Sequence, residues 1–175
     1  MSKYVFIINI LIWFCGLAYG QKAAPNLPQR TVTISVVKNL DYGQILLPNN
    51  SSGGQVSISY AGIRQITGDL VAYPGDSYDQ ALLSFRLCPG RSINIQYSSS
   101  INLTDNASHN LSMTIDRIRI GNTLILASGQ SFMSNKGCND LHYMELGTTL
   151  NVAGSYLTNP PGSYNGNFTI TVAYE

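Results

Sequence analysis

The chain has 175 residues and a formal net charge of +1, with ten basic residues set against nine acidic ones and only 11% of positions charged. That balance excludes a basic nucleic-acid footprint and an acidic solvating tail. With 44% apolar residues and Ser, Thr, Asn and Gly filling the polar positions, the composition fits an exported β-protein and not a helical cytosolic enzyme.

Residues 1–20 read as an export signal. Lys3 supplies a positive start, Tyr4 to Leu17 is almost wholly apolar, and Ala18 and Gly20 place small residues at minus three and minus one of a cleavage site before Gln21. The apolar run falls short of the roughly 20 residues that a membrane span needs, which disfavours an uncleaved anchor, and no later segment could span a membrane either. Cys15 follows Trp13 and Phe14, where lipid attachment wants small residues, so this thiol is expected to leave with the signal. Cleavage between Gly20 and Gln21 leaves 155 of the 175 residues, enough for one domain with a sizeable core. The mature protein is expected to be periplasmic, displayed at the cell surface or secreted, with no membrane segment of its own.

Residues 21–30 form a loose polar leader in which Pro25 and Pro28 forbid helix. The domain is expected over 31–175. Thr31 to Val36 alternates, with Val32, Ile34 and Val36 on one face, and predicts the first strand. Leu40-Asp41-Tyr42-Gly43 and Ile45 to Leu47 follow, then a turn-rich run Asn49 to Gly54. Gln55 to Tyr60 alternates again, and a hairpin-like stretch leads to Ala72 and the turn Tyr73-Pro74-Gly75-Asp76. Ala81, Leu83, Phe85 and Leu87 share one parity, as do Ile93, Ile95 and Tyr97, with Pro89-Gly90 between the two runs.

Leu111, Met113 and Ile115 start another strand, but the apolar parity switches to Ile118 and Ile120 beyond Asp116 and Arg117. A β-bulge predicts this switch, because one extra residue re-aims the side chains that follow. Leu124 to Leu126, Leu141 to Met144 and Leu146 to Val152 supply further strands before the Pro160-Pro161-Gly162 turn. From Gly162 to Glu175, Tyr164, Gly166, Phe168, Ile170, Val172 and Tyr174 alternate with Asn and Thr, which predicts a long, half-buried terminal strand within its own chain. Eight or so short strands without a convincing helix indicate an all-β fold, an immunoglobulin-like antiparallel β-sandwich.

Cys88 and Cys138 remain after signal removal, and an even number in an exported chain reads first as a disulfide. A pair of free thiols, or one catalytic thiol, is the rival. No catalytic motif is present: G-x-S-x-G, H-E-x-x-H, the P-loop and the dinucleotide turn are all missing. His109 and His142 lie among Asn, Ser and Tyr without an evident partner, and Asp76 and Asp79 are explained by turn formation as readily as by Ca²⁺. No cofactor, metal or catalytic residue is therefore expected. Asn50, Asn102, Asn106, Asn110 and Asn167 match N-x-[ST], which would matter as glycan sites only in a eukaryote.

Leu40-Asp41-Tyr42-Gly43, Ser52 to Ile58, Gly62 with Arg64, Thr67-Gly68 and Gly162 to Tyr174 together resemble a bacterial exported family known only as a domain of unknown function, with an LDFG-like start and a GxYxGxFxVTVxY finish. The resemblance covers nearly the whole mature chain. It implies an immunoglobulin-like sandwich and brings no catalytic residues; the cysteine pair is outside its motif. The same terminus is more loosely similar to chaperone-usher pilus subunits, which would imply strand donation to a neighbour, here by Thr31 to Val36. The expected function is that of a structural or adhesive surface module without catalysis, binding an unknown protein or glycan through loops or an edge strand, with weak self-assembly as a further outcome. The alternatives are a carbohydrate-binding domain, which a coplanar exposed row among Tyr42, Tyr73, Tyr78, Tyr143 and Tyr156 would favour, and a pilin-like subunit.

Overall fold

The structure, a computed structural model, describes residues 32–125, 127–154 and 160–175. The expected signal, its cleavage point at Gly20 and Gln21, the leader and Tyr156 lie outside the described residues. Among the described residues there is no helix. The strands form an antiparallel β-sandwich.

One strand holds the larger sheet together. β12 (Leu141–Ala153) is flanked on one side by β9 (Asn110–Ile120) and on the other by β6 (Leu82–Arg86) along its first half and β3 (Gly53–Ile58) along its second. β1 (Ile34–Lys38) extends this sheet beyond β6, and β4 (Arg64–Gly68) extends it beyond β3. β8 (Ser100–Thr104) and β10 (Thr123–Ile125) pair with the two ends of β9. The second sheet has three strands, with β7 (Ser92–Tyr97) between β11 (Gln130–Met133) and β13 (Ile170–Tyr174). β2 (Ile45–Leu46) and β5 (Val71–Ala72) make a separate small ribbon.

Alternation puts one side of each strand into a single core. Val56 and Ile58, Leu83 and Phe85, Met113 and Ile115, and Met144 and Leu146 enter it from the larger sheet, while Ile93, Ile95 and Phe132 enter from the smaller. Each such side chain stabilises the fold by about 1.5–3 kcal/mol before the entropy of ordering is counted. The parity switch in β9 is a bulge: Arg117 stands opposite Gly147, Ile115 opposite Thr148, and Asp116 has no partner between them. Asp116 and Arg117 both face solvent, and Ile118 is buried. The extra residue lets both halves of one strand line the same core.

Several boundaries differ from those expected. The first strand runs from Ile34 to Lys38, and Val36 is 64% exposed instead of facing the core, because β1 is an edge strand and its register on β6 slips at Val37. Ile34 to Val36 pair with Phe85 to Leu83 of the same chain. The runs Leu141 to Met144 and Leu146 to Val152 are one 13-residue strand, since Glu145 and Gly147 interrupt only the apolar pattern and not the ladder. The terminal strand is short, beginning at Ile170; from 160 to 169 the chain lies outside any strand, with a bend at Pro161 and Gly162 and a single bridge at Asn165. Phe168, Ile170, Val172 and Tyr174 keep the expected parity but are only partly buried, because β13 is itself an edge paired on one side to β7.

Candidate functional site

The three-stranded sheet is narrower than the sheet it covers. Beyond β13 the apolar face of the larger sheet continues as Leu83, Leu111, Met113, Leu150 and Val152, and there it forms the floor of an open cleft of about 1530 Å³. One wall is β1 with residues 39–47, and the other is the strand-free segment 160–169 leading to Ile170. Two strand edges therefore border the cleft: among the described residues β1 pairs only with β6, and β13 only with β7.

Leu40-Asp41-Tyr42-Gly43 builds the first wall. Leu40 packs against the core and Tyr42 is buried in it, while Asp41 exchanges two backbone hydrogen bonds with Asp79, each 2.9 Å. The Asp41 carboxylate accepts the Gly43 N–H at 2.8 Å, closing a tight turn that needs positive φ at Gly43 (75°). Arg64 locks this wall to β4. Its guanidinium donates to both oxygens of Asp76 (2.8 and 3.0 Å) and to the Tyr42 carbonyl (2.9 Å), and it stacks 4.4 Å from the Tyr78 ring centre. Asp76 also accepts the Gln44 N–H at 2.7 Å. The Arg64 hydrogen bonds hold the Asp76 carboxyl below its usual range. Burial raises the Tyr42 phenol well above its ordinary value.

The second wall is pinned to β8. Asn165 and Thr104 exchange backbone hydrogen bonds of 2.8 Å in both directions, and the Tyr164 hydroxyl donates to the Pro160 carbonyl at 3.0 Å. A Cβ on Gly166 would lie 2.6 Å from Leu103 and 2.8 Å from the Asn102 carbonyl, so only glycine lets the wall come this close. Behind it, Asp105 accepts the N–H groups of Ala107 and His109 and pairs with the His109 imidazole at 2.8 Å. His109 is thus a loop-holding residue.

The family described as Domain of unknown function (DUF4402) matches residues 32–174. The chain belongs to this family. No curated protein matches the chain, and no solved structure does. The matched span contains both walls and the floor, so the cleft is built entirely within the DUF4402 domain.

The residues singled out in the sequence divide between the cleft and the scaffold. Phe168 and Ile170 line the cleft; Val172 and Tyr174 continue past it along β7. Cys88 and Cys138 stand with their sulfurs at bonding distance and their Cα atoms 3.9 Å apart, joining the end of β6 to the turn before β12. His142 is buried between Phe85, stacked with centres 5.2 Å apart, and the edge of Phe132. Ser134 Oγ lies 2.8 Å from His142 Nε2 and donates to the Leu87 carbonyl at 2.8 Å. With the hydroxyl proton committed to that carbonyl, the imidazole donates at Nε2, and both side chains are sealed in the core. The pair is a structural pin, not a base facing a nucleophile.

Asp76 is held by Arg64 and Asp79 by Lys38 at 2.8 Å. Among the described residues no group of three or more His, Cys, Asp or Glu could hold a metal ion. The tyrosines split by environment: Tyr42 is buried, Arg64 covers the face of Tyr78, and Tyr73 and Tyr143 are exposed on a loop and on β12. Sequence reading missed Leu103, Leu111, Met113 and Leu150 as a site, because their parity marks them as core: Leu111, Met113 and Leu150 are buried beneath the cleft, and Leu103 is half-buried beside them.

Proposed function

We propose that the chain is an exported surface module that binds protein, taking an extended segment of its partner into the cleft, with a structural or adhesive role and no catalysis. One observation carries this reading: a cleft with an apolar floor lies between two strand edges that, among the described residues, are each paired on one side only. An added strand would gain main-chain hydrogen bonds from such an edge and would bury alternate side chains on the floor. The lining contains one acid, Asp41, and one base, Lys38, so the complementary segment is apolar on one face and weakly charged. The open edge also supports the strand-addition alternative raised by the resemblance to pilus subunits; the donor named there, however, has Ile34 to Val36 already paired with β6.

Arrays distinguish the classes. The purified mature protein is expected to bind extended peptides with apolar residues at alternate positions, and Leu103→Asp is expected to abolish that binding. Binding to oligosaccharides instead, unaffected by Leu103→Asp, would replace this reading with a carbohydrate-binding one.

A further inference from the structure

We propose that the outer face of the larger sheet, the reverse of the cleft floor, binds a neutral polysaccharide laid across the strands. Asn102, Ser112, Asn151, Gln55 and Thr67 stand opposite one another on β8, β9, β12, β3 and β4. The neighbouring row is Ser100, Thr114, Thr149, Ser57 and Gln65. Every member of both rows is an uncharged hydrogen-bonding residue and none is buried, whereas the alternate positions Leu111, Met113 and Leu150 are buried on the other side. Five strands at about 4.8 Å from one to the next make a platform roughly 19 Å wide, long enough for several sugar rings.

A depression in this face gives the ligand a seat. Where the pairing of β9 with β12 ends at Ser112 and Asn151, the surface dips into a shallow open hollow of about 490 Å³, lined by Gln55, Asn110, Ser112 and Asn151, with Gly54 and Ala153 adding little bulk. Its size lies within the roughly 300–1,000 Å³ of small-molecule sites. Gln55 Nε2 donates to Asn151 Oδ1 at 2.9 Å, which fixes both amides and leaves the Gln55 carbonyl oxygen as acceptor and the Asn151 amide nitrogen as donor. Vicinal sugar hydroxyls donate and accept together, so one diol can satisfy both. Among the described residues the side chains of Ser57, Gln65, Asn102 and Ser112 make no hydrogen bond to protein and add further donors and acceptors along the rows. The two rows hold no aromatic residue, Arg or large aliphatic to anchor a protein interface, and no cation to neutralise an acidic polymer. Asp116 accepts hydrogen bonds from the Thr114 and Thr149 hydroxyls and sets a negative charge beside the rows, which disfavours acidic glycans. Platform and cleft lie on opposite faces of one sheet, so glycan and peptide can bind together.

Affinity electrophoresis of the mature protein tests this, in gels holding a neutral glucan, mannan, xylan or galactan, with dextran sulfate as the charged comparison. At least one neutral polymer should retard the protein, and dextran sulfate should not. Ser112→Glu and Gln55→Ala are expected to weaken the interaction by about tenfold or more, through a charge set in the hollow and a lost amide. Tyr143→Ala, at the far end of β12, should leave it unchanged. Circular dichroism establishes that each variant is folded, and in the parent the retarding polymer should shift the Gln55 and Asn151 side-chain amide resonances while the Met113 methyl stays in place. Retardation by none of the neutral polymers would overturn the proposal. So would retardation by dextran sulfate alone, retention of full binding in both Ser112→Glu and Gln55→Ala, or loss of binding in Tyr143→Ala.

Discussion

Gly147 on β12 stands directly opposite Arg117 at the bulge of β9, and the strand pair bends there without losing its common core. Gly147 leaves room for it: an added Cβ would lie 3.3 Å from the Tyr60 amide nitrogen and 3.4 Å from Arg117. Asp116 fastens the bend by accepting hydrogen bonds from Thr149 (2.6 Å) and Thr114 (3.0 Å). Gly147→Val should cost about 1–3 kcal/mol by overpacking. Asp116→Ala, at an exposed site, should cost less than about 1 kcal/mol. Urea unfolding of the two variants gives the order directly, and a milder effect for Gly147→Val would show that the pair is not tightly packed there.

The cysteine pair closes a long loop, with a sequence separation of 50. On the chain-entropy model, cross-linking a loop of that size stabilises the fold by about 4 kcal/mol. Mature protein alkylated without reduction should gain no mass at Cys88 or Cys138, and the double Cys→Ser variant should unfold at clearly lower denaturant. Two alkylated cysteines in unreduced, correctly folded protein would refute the bond.

Acid should weaken the core through His142. Burial lowers the imidazole pKa below its ordinary 6.5, with the Lys136 charge pushing the same way. A depressed native pKa means that the neutral form is favoured on folding. The associated stability is therefore complete above pH 6.5 and is lost as pH falls from 6.5 toward the native value, at up to about 1.4 kcal/mol per pH unit. Asp69, Asp76 and Glu175, whose pKa values are also lowered, act below about pH 4.5 and outside this window. Denaturant midpoints measured at pH 7.5 and 5.0 should fall more for the parent than for His142→Gln; parallel falls would assign the acid sensitivity elsewhere.

The smaller sheet should show a gradient of sensitivity. Ile95 on the central strand β7 is fully buried, and Ile95→Ala should cost about 2–5 kcal/mol. Its cross-strand partner Val172 and the neighbouring Ile170 lie half-buried at the edge, so Ile170→Ala should cost about 1–2 kcal/mol. Thr171 points outward, and Thr171→Asp should be nearly silent. A cost for Ile170→Ala equal to that for Ile95→Ala would mean that β13 is covered in solution.

Parity made most of the sandwich legible. The alternations at Leu83 to Leu87 and Ile93 to Tyr97 became central strands, and the switch between Ile115 and Ile118 located a bulge, because both are consequences of side chains facing one core. Strands β8 and β11 left little trace, being short and largely polar. Gly162 to Thr169 misled in the opposite direction. Its alternation reflects packing of Tyr164 and Phe168 against the core and the close approach of Gly166 to β8, neither of which requires a ladder. The cleft was illegible for a further reason: among the described residues no strand covers it, and the floor beneath has the same apolar pattern as a covered one. The one available signal was the long stretch from Ala153 to Ile170, too rich in Pro, Gly and Asn to be strand throughout.

The cleft itself can be watched through three methionines. Met113 lies on its floor, Met144 is buried elsewhere in the core, and Met133 is 66% exposed at the end of β11. With methyl-labelled mature protein, titration with an extended peptide apolar at alternate positions should move the Met113 resonance and leave Met133 in place. An unchanged Met113 under saturating peptide, or a Met113 response to oligosaccharide alone, would contradict segment binding in the cleft.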